Sequence, residues 1–278
     1  LGDVYKRQEL NISTVVAQED EQKALRSVHD AFFLSDRTTI NIFLLGPGRV
    51  GSVLLRQIHE QQLILSQERQ LSVCLVGIAN SRKYLFSPEG IELDPAKGTW
   101  KVDLERSGKE LGLENFFSEL IALNLPNTIV IDCTASAEVA KRYSLLLKAN
   151  ISIVSANKRA NSADLESYNE LHLAANASNV RYYYETNVGA GLPVINTLQD
   201  LISSGDRVQS IEAVLSGTLS FIFNSIQPGS KFSDVVKEAH RLGYTEPDPR
   251  DDLCGADVAR KLLILAREIG LNFNEADI

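Results

Sequence analysis

Apolar positions along the chain fall into two rhythms, short unbroken runs and helical stripes, and from Thr39 onward the two alternate. The runs TINIFLL (39–45), LSVCLVGIA (71–79), TIVIDCT (128–134), ISIVSA (151–156) and VRYYYET (180–186) are rich in β-branched residues and show little polar alternation. That pattern predicts parallel strands covered on both faces. Between them, helices are predicted from the glycine-rich turn after Leu45 to about Leu65, near 114–124, at 136–149 and at 164–177. Residues 83–110, punctuated by Pro and Gly, read as an irregular insertion. Strand and helix in regular succession predict an α/β protein with a doubly wound parallel sheet.

After Pro193 the pattern changes. VQSIEAVLSGT (208–218) predicts a strand leading into the helix LSFIFNSI, and two more helices are predicted at 232–242 and 252–269. This reads as a smaller α/β unit packed on the first. Upstream, LNISTVVAQ predicts a strand, and DEQKALRSVHDAFF an amphipathic helix with an acidic first turn. The expected divisions are therefore 1–38, 39–190 and 191–278.

Composition narrows the function classes. With 44% hydrophobic residues in 278, the chain can bury a core of one large or two ordinary domains. A net charge of -8 argues against general affinity for nucleic acid or an anionic membrane. No apolar run approaches the roughly 20 residues that span a bilayer. The opening LGDVYKRQEL lacks the apolar core of a signal peptide, so a cytoplasmic location is expected. Cys74, Cys133 and Cys254 are scattered without a CxxC pair and read as small buried hydrophobes. The four histidines (His29, His59, His172, His240) have no metal-ligand spacing.

Candidate chemistry starts at Gly46-Pro47-Gly48-Arg49-Val50-Gly51, a GxGxxG turn that follows a buried strand and opens a helix. In that context it is the dinucleotide fingerprint of a Rossmann-type fold. One glycine permits the tight turn, the next lets backbone N–H groups reach a pyrophosphate, and the third allows close helix–strand packing. The second strand ends in Ala79-Asn80-Ser81-Arg82-Lys83, with two cations and no carboxylate for a ribose 2′-hydroxyl. This favours a 2′-phosphate, hence NADP, and leaves NAD open. Two further strand ends aim at the same crevice: Thr134-Ala135-Ser136, suited to the nicotinamide half, and Lys158 of Ser155-Ala156-Asn157-Lys158.

Asp257 and Lys261 are spaced i,i+4 and share a helix face, as an acid–base pair or a plain helix salt bridge would. Hydride addition to a carbonyl group leaves an alkoxide, and a lysine ammonium could protonate it and, as the amine, take the proton back. An ordinary lysine holds its proton to roughly 10.4, so oxidation should favour alkaline conditions. Glu246 lies in YTEPDPRDD, stiffened by Pro247 and Pro249, where Asp251 or Asp252 is the expected helix cap. Ser216-Gly217-Thr218 ends the predicted strand beside the same pocket.

At SANKRA, ETNVGAGLP and GYTEPDPRDDLCGADVARK the chain resembles the homoserine dehydrogenase family, from about residue 39 to its end. The resemblance implies reversible reduction of L-aspartate 4-semialdehyde to L-homoserine, toward threonine and methionine. It implies that Lys158 serves near cofactor and substrate, that Glu246 binds the substrate's amino group, and that Asp257 and Lys261 stand nearest the reacting carbonyl. Tyr244 and Thr218 join the substrate side, and Gly243 the cofactor side. It further implies a sodium ion on backbone carbonyls of the loop containing Glu185, Val188, Ala190 and Leu192. A homodimer or higher homo-oligomer is implied too.

The preceding strand–helix resembles the tail of an ACT regulatory domain, as in bifunctional aspartokinase–homoserine dehydrogenases, with further family elements expected beyond Ile278. Two other readings stay open at this point. One is a dehydrogenase of another amino-acid-derived aldehyde; the other is a fragment that binds cofactor without turnover.

Overall fold

The computed structural model describes residues 15–18, 21, 24, 25, 28, 37–94, 98–178, 180–245 and 248–278. The first part of the chain runs β1 (Thr38–Leu45), α1 (Arg49–Glu68), β2 (Leu71–Ala79), β3 (Lys83–Phe86), α2 (Thr99–Ser107), β4 (Lys109–Glu110) and α3 (Leu113–Ala122). It continues with β5 (Thr128–Asp132), α4 (Ala137–Ala140), α5 (Tyr143–Lys148), β6 (Ser152–Ser155), α6 (Leu165–Ala177) and β7 (Tyr182–Tyr183). The strands form one seven-stranded sheet ordered β4-β3-β2-β1-β5-β6-β7. From β2 to β7 all neighbours are parallel.

The apolar runs form strands here because both faces of the sheet are buried. Alternate residues of β1 enter opposite cores, as the two-residue strand period requires. Phe43 and Leu45 pack with Phe116, Tyr143 and Leu147 on one face, while Ile42 and Leu44 pack with Leu55, Trp100 and Leu104 on the other. The strand order reverses between β1 and β5. There the turn after β1 and the turn after β5 diverge and leave a crevice at the carboxyl ends of the strands.

Regular elements form within the predicted irregular insertion at 83–110. β3 and β4 extend the sheet antiparallel, with β4 at its edge, and α2 lays Trp100 and Leu104 on the sheet. Helix 136–149 is two helices, because Arg142 N bonds back three residues to Val139 O and tightens the turn between them. The strand predicted at 180–186 shrinks to β7 and gives way to a 3-10 turn at Glu185–Asn187. Upstream, Val15 to Gln18 carry no strand, whereas Glu21, Ala24, Leu25 and Val28 are helical; the rest of that predicted strand–helix lies outside the described residues.

Beyond the sheet, the described residues form helices α7 (Ile195–Ser203), α8 (Gly217–Ser225), α9 (Phe232–Arg241), α10 (Pro249–Leu253) and α11 (Ala256–Glu268). The strand predicted at 208–218 does not form. It has no ladder partner among the described residues, and side chains such as Val214 (80% exposed) face solvent. The helix predicted at 252–269 is broken at Gly255, whose φ of 74° ends α10 and starts α11. Asp248, rather than Asp251 or Asp252, caps α10, accepting a hydrogen bond from Arg250 N at 3.0 Å.

Candidate functional site

The glycine turn is built as its spacing predicts. Gly46 has φ +83°, and a Cβ there would lie 2.8 Å from Thr134 Cγ2 and 2.9 Å from the Cys133 carbonyl carbon. A Cβ at Gly51 would lie 2.3 Å from Gly46 O. A Cβ at Gly48 would meet nothing within 4 Å, so the protein's own packing does not require glycine there. The space it leaves is a cradle over the start of α1, which has no side-chain cap and no acidic residue in its first turn. Arg49 and Val50 open the helix with exposed side chains. Free N–H groups under a cradle that no side chain fills are what a pyrophosphate needs. The residues present fit a dinucleotide.

At the far end of this cleft, Asn80 Oδ1 accepts from Arg82 N and Lys83 N, both at 2.8 Å. The cleft has a volume of about 500 Å³, and Gly46, Gly48, Asn80, Trp100 and Glu105 are among its lining residues. At the near end, Thr134 Oγ1 accepts from Ser136 N at 3.1 Å and Ser136 Oγ caps α4, so both hydroxyls are committed to the turn. Ala135 is exposed between them.

The three residues expected to carry the chemistry converge. Lys261 Nζ lies 2.7 Å from Asp257 Oδ2, and Lys158 Nζ lies 3.4 Å from Asp257 Oδ1. Lys261 also donates to Leu215 O at 2.7 Å. Burial pushes the Asp257 carboxyl up, but the Lys261 hydrogen bond and the two lysine charges outweigh it and hold the group below the ordinary carboxylate range. The result is an ionised carboxylate gripping two ammonium groups, one from the end of β6 and one from α11.

The other predicted residues divide. Thr218 Oγ1 donates to Tyr244 O at 2.5 Å, joining those two, and the Tyr244 ring packs on Phe221 at 4.8 Å. Gly243 terminates α9 with φ +76°, and no described contact links it to the glycine turn. Glu246 lies outside the described residues. The Glu185 carboxylate is already engaged, accepting from Ile195 N at 2.8 Å and Asn196 N at 2.9 Å at the start of α7. In the adjacent turn Leu192 O accepts from Val194 N, while Val188 O and Ala190 O accept no hydrogen bond among the described residues. Such hard carbonyl donors suit a cation of the sodium or calcium type. Among the described residues there is no cluster of three or more His, Cys, Asp or Glu side chains that could hold a metal. Burial and the neighbouring Asp132 charge push the Cys133 thiol up to about 11, and Cys254 is exposed rather than buried.

Beneath these strand ends lies a polar network whose role was not anticipated. Fully buried Asp132 accepts from Thr134 N (2.7 Å), Tyr143 Oη (2.6 Å) and Asn157 Nδ2 (3.0 Å). Asn157 also donates to Ser136 O at 2.8 Å, and Asn187 Nδ2 donates to Ser155 O at 2.9 Å. The network therefore ties the turn after β5 to the Lys158 loop and the 185–187 turn. Its only sequence signal is a polar residue closing each apolar run.

Sheet order and the glycine cradle together define a Rossmann-type fold of the dinucleotide-binding class, with a Lys–Asp–Lys cluster beyond the end of β6. Family models described as "Homoserine dehydrogenase, NAD binding domain" and "Homoserine dehydrogenase" match residues 46–185 and 193–278. The chain is 44% identical over 271 residues to bifunctional aspartokinase/homoserine dehydrogenase 2, chloroplastic, of Arabidopsis thaliana, covering 97% of the chain and 29% of that protein. It is 41% identical over 271 residues to the bifunctional enzyme of Haemophilus influenzae, covering 97% and 32%. It thus spans about a third of these relatives. A hyperthermophilic archaeal homoserine dehydrogenase in complex with NADPH superposes with TM-score 0.69 at 27% identity, over 83% of this chain and 70% of that one. The homoserine dehydrogenase of Thermoplasma acidophilum gives 0.69 at 25% identity, over 87% and 72%. The chain belongs to the homoserine dehydrogenase family.

Proposed function

We propose that this chain carries its family's chemistry, the reversible NAD(P)-linked interconversion of L-aspartate 4-semialdehyde and L-homoserine that feeds threonine and methionine synthesis. The observation that supports it most is the Lys158–Asp257–Lys261 cluster, assembled at the strand ends where a Rossmann sheet receives its ligand. Lys261 protonates the alkoxide oxygen formed from the aldehyde and receives that proton back in the oxidation. Asp257 and the Leu215 carbonyl hold its ammonium in place. Lys158 supplies a second cation beside the reacting oxygen. Glu246 takes the substrate's ammonium, with Tyr244 and Thr218 alongside.

Gly46, Gly48, Arg49, Val50 and Gly51 hold the dinucleotide's pyrophosphate, Asn80 and Arg82 its adenosine end, and Thr134, Ala135 and Ser136 its nicotinamide end. Bound there, the cofactor supplies or accepts the hydride. The two cations after β2 support NADP, as does the NADPH held by the archaeal relative. Residues 39–190 are the cofactor unit and 191–278 the substrate and dimerisation unit. Carbonyls of the Glu185–Leu192 loop hold a sodium ion. Exposed apolar side chains at Leu192, Leu201, Val214 and Phe223 support a homodimer through this region. No described helix is long and apolar enough to cross a membrane.

Homoserine-dependent NADP reduction tests the reading. Lys261→Ala should lower kcat by roughly 100- to 10,000-fold, the usual reach of a general acid–base group, with NADPH affinity unchanged. Near-normal kcat in that variant would remove Lys261 from the mechanism. An equal rate on unrelated amino alcohols would remove the substrate assignment.

A further inference from the structure

The two cations that favour a 2′-phosphate already have an anion. Arg82 Nη2 lies 3.3 Å from Glu105 Oε1, and Lys83 Nζ lies 3.6 Å from Glu105 Oε2. Lys83 Nζ also donates to the Glu105 backbone carbonyl. Glu105 sits on α2, across the cleft from the glycine turn, and lines the same 500 Å³ space as Gly46 and Gly48. The Asn80 side chain fixes the backbone of the β2–β3 turn, so the two cationic stems rise toward α2 from a set position.

We infer that Glu105 is a built-in counterion of the adenosine subsite, a stand-in for the 2′-phosphate that sets how strongly NADP is preferred over NAD. The inference rests on the NADP reading above. A dinucleotide lacking the phosphate leaves Glu105 in place, and the two cations stay neutralised. A dinucleotide carrying it brings about two negative charges and three acceptor oxygens against the carboxylate's single charge. The phosphate then takes the cations, and the carboxylate turns out to solvent. The exchange is feasible because the existing pairs are weak: the Arg82 and Glu105 side chains are 76% and 54% exposed. Glu105 therefore opposes NADP by competition and by like-charge repulsion, and it leaves NAD untouched. Its presence narrows a preference that Arg82 and Lys83 alone would make wide.

Calorimetric titration of the purified chain with adenosine 2′,5′-bisphosphate and with 5′-AMP reads this subsite without turnover. Glu105→Gln should tighten the bisphosphate about fivefold at low ionic strength, the upper range of an exposed ion pair, and leave 5′-AMP unchanged. High salt should shrink the gain. In an Arg82→Ala background the same substitution should give a smaller gain. Unchanged bisphosphate affinity in Glu105→Gln, with Arg82→Ala weakening it, overturns the role of Glu105 and spares the NADP reading. Unchanged affinity in both variants overturns the two together. Equal tightening of 5′-AMP and the bisphosphate also overturns the inference, since Glu105 would then act on the nucleotide at large.

Discussion

Asp257 is the residue on which the site's charges balance. It touches both lysines, and half-burial alone would drive it toward protonation; the two ammonium groups reverse that. An acid held below its ordinary range is ionised wherever the protein is folded and working, so it cannot donate the proton itself. In the proposed mechanism its part is positional and electrostatic. Asp257→Asn keeps the shape and removes the charge, leaving Lys261 held by Leu215 O alone. We expect kcat to fall on the order of 100-fold while NADPH binding stays the same, measured by stopped-flow turnover and by fluorescence titration. The sign of its stability effect follows from the depressed value. The ion pairs contribute fully above the unfolded carboxylate's pKa of about 3.9 and are lost as pH falls through the folded one.

At the level of elements, the glycine turn separates folding from binding. Gly51→Ala would drive a Cβ into the Gly46 carbonyl, so β1 and α1 must part. Gly48→Ala meets nothing inside the protein and fills the cradle that the pyrophosphate would occupy. Thermal unfolding should therefore fall by several degrees for Gly51→Ala and barely move for Gly48→Ala, while both lose nucleotide affinity by about tenfold or more. A Gly48→Ala chain that binds NADPH normally would remove the cradle. The same contrast explains what the sequence made legible. Runs such as INIFLL declare themselves because covering both faces leaves little room for polar residues. The run at 208–218 carries the same residue types, yet strand formation needs a partner, and pattern alone cannot supply one. Gly255 was invisible as a breaker because Ala256–Glu268 keeps the helical rhythm of the residues before it. Its αL conformation places Asp257 in the first turn of α11 rather than mid-helix.

Across the whole molecule, Lys158 and Asp257 stand 99 positions apart, and the fold is what makes them neighbours. Their meeting was foreshadowed by family motifs; the support under them was not, since a buried Asp132 reads in sequence like any acid ending a strand. A second buried centre joins the two parts of the chain and offers a test of that packing. His172 of α6 stacks on Tyr168 at 4.2 Å, lies against Tyr182 and Tyr184, and donates through Nε2 to Asn161 Oδ1 at 3.3 Å. Arg267 of α11, donating to Asn161 O at 2.9 Å and lying over the Tyr168 ring, is the nearby cation; Glu268, bonded to Tyr184, is the nearby acid. Burial, helped by the Arg267 charge, lowers His172 from 6.5 to about 4. The folded imidazole is thus neutral at a pH where the unfolded one takes a proton. Stability is complete above pH 6.5, declines as pH falls through the window down to about 4, and levels below it. The full decline is about 3 kcal/mol at 1.36 kcal/mol per pH unit. Glu268 works in the opposite sense, because burial raises it and its cost is felt as pH rises through its folded value. Subtracting the urea-unfolding profile of His172→Gln from that of the parent isolates the histidine, with the glutamine still able to donate to Asn161. The difference should widen steadily from neutral pH down to about 4.5, and a flat difference would mean that His172 is solvated and the sheet and α11 do not close over it.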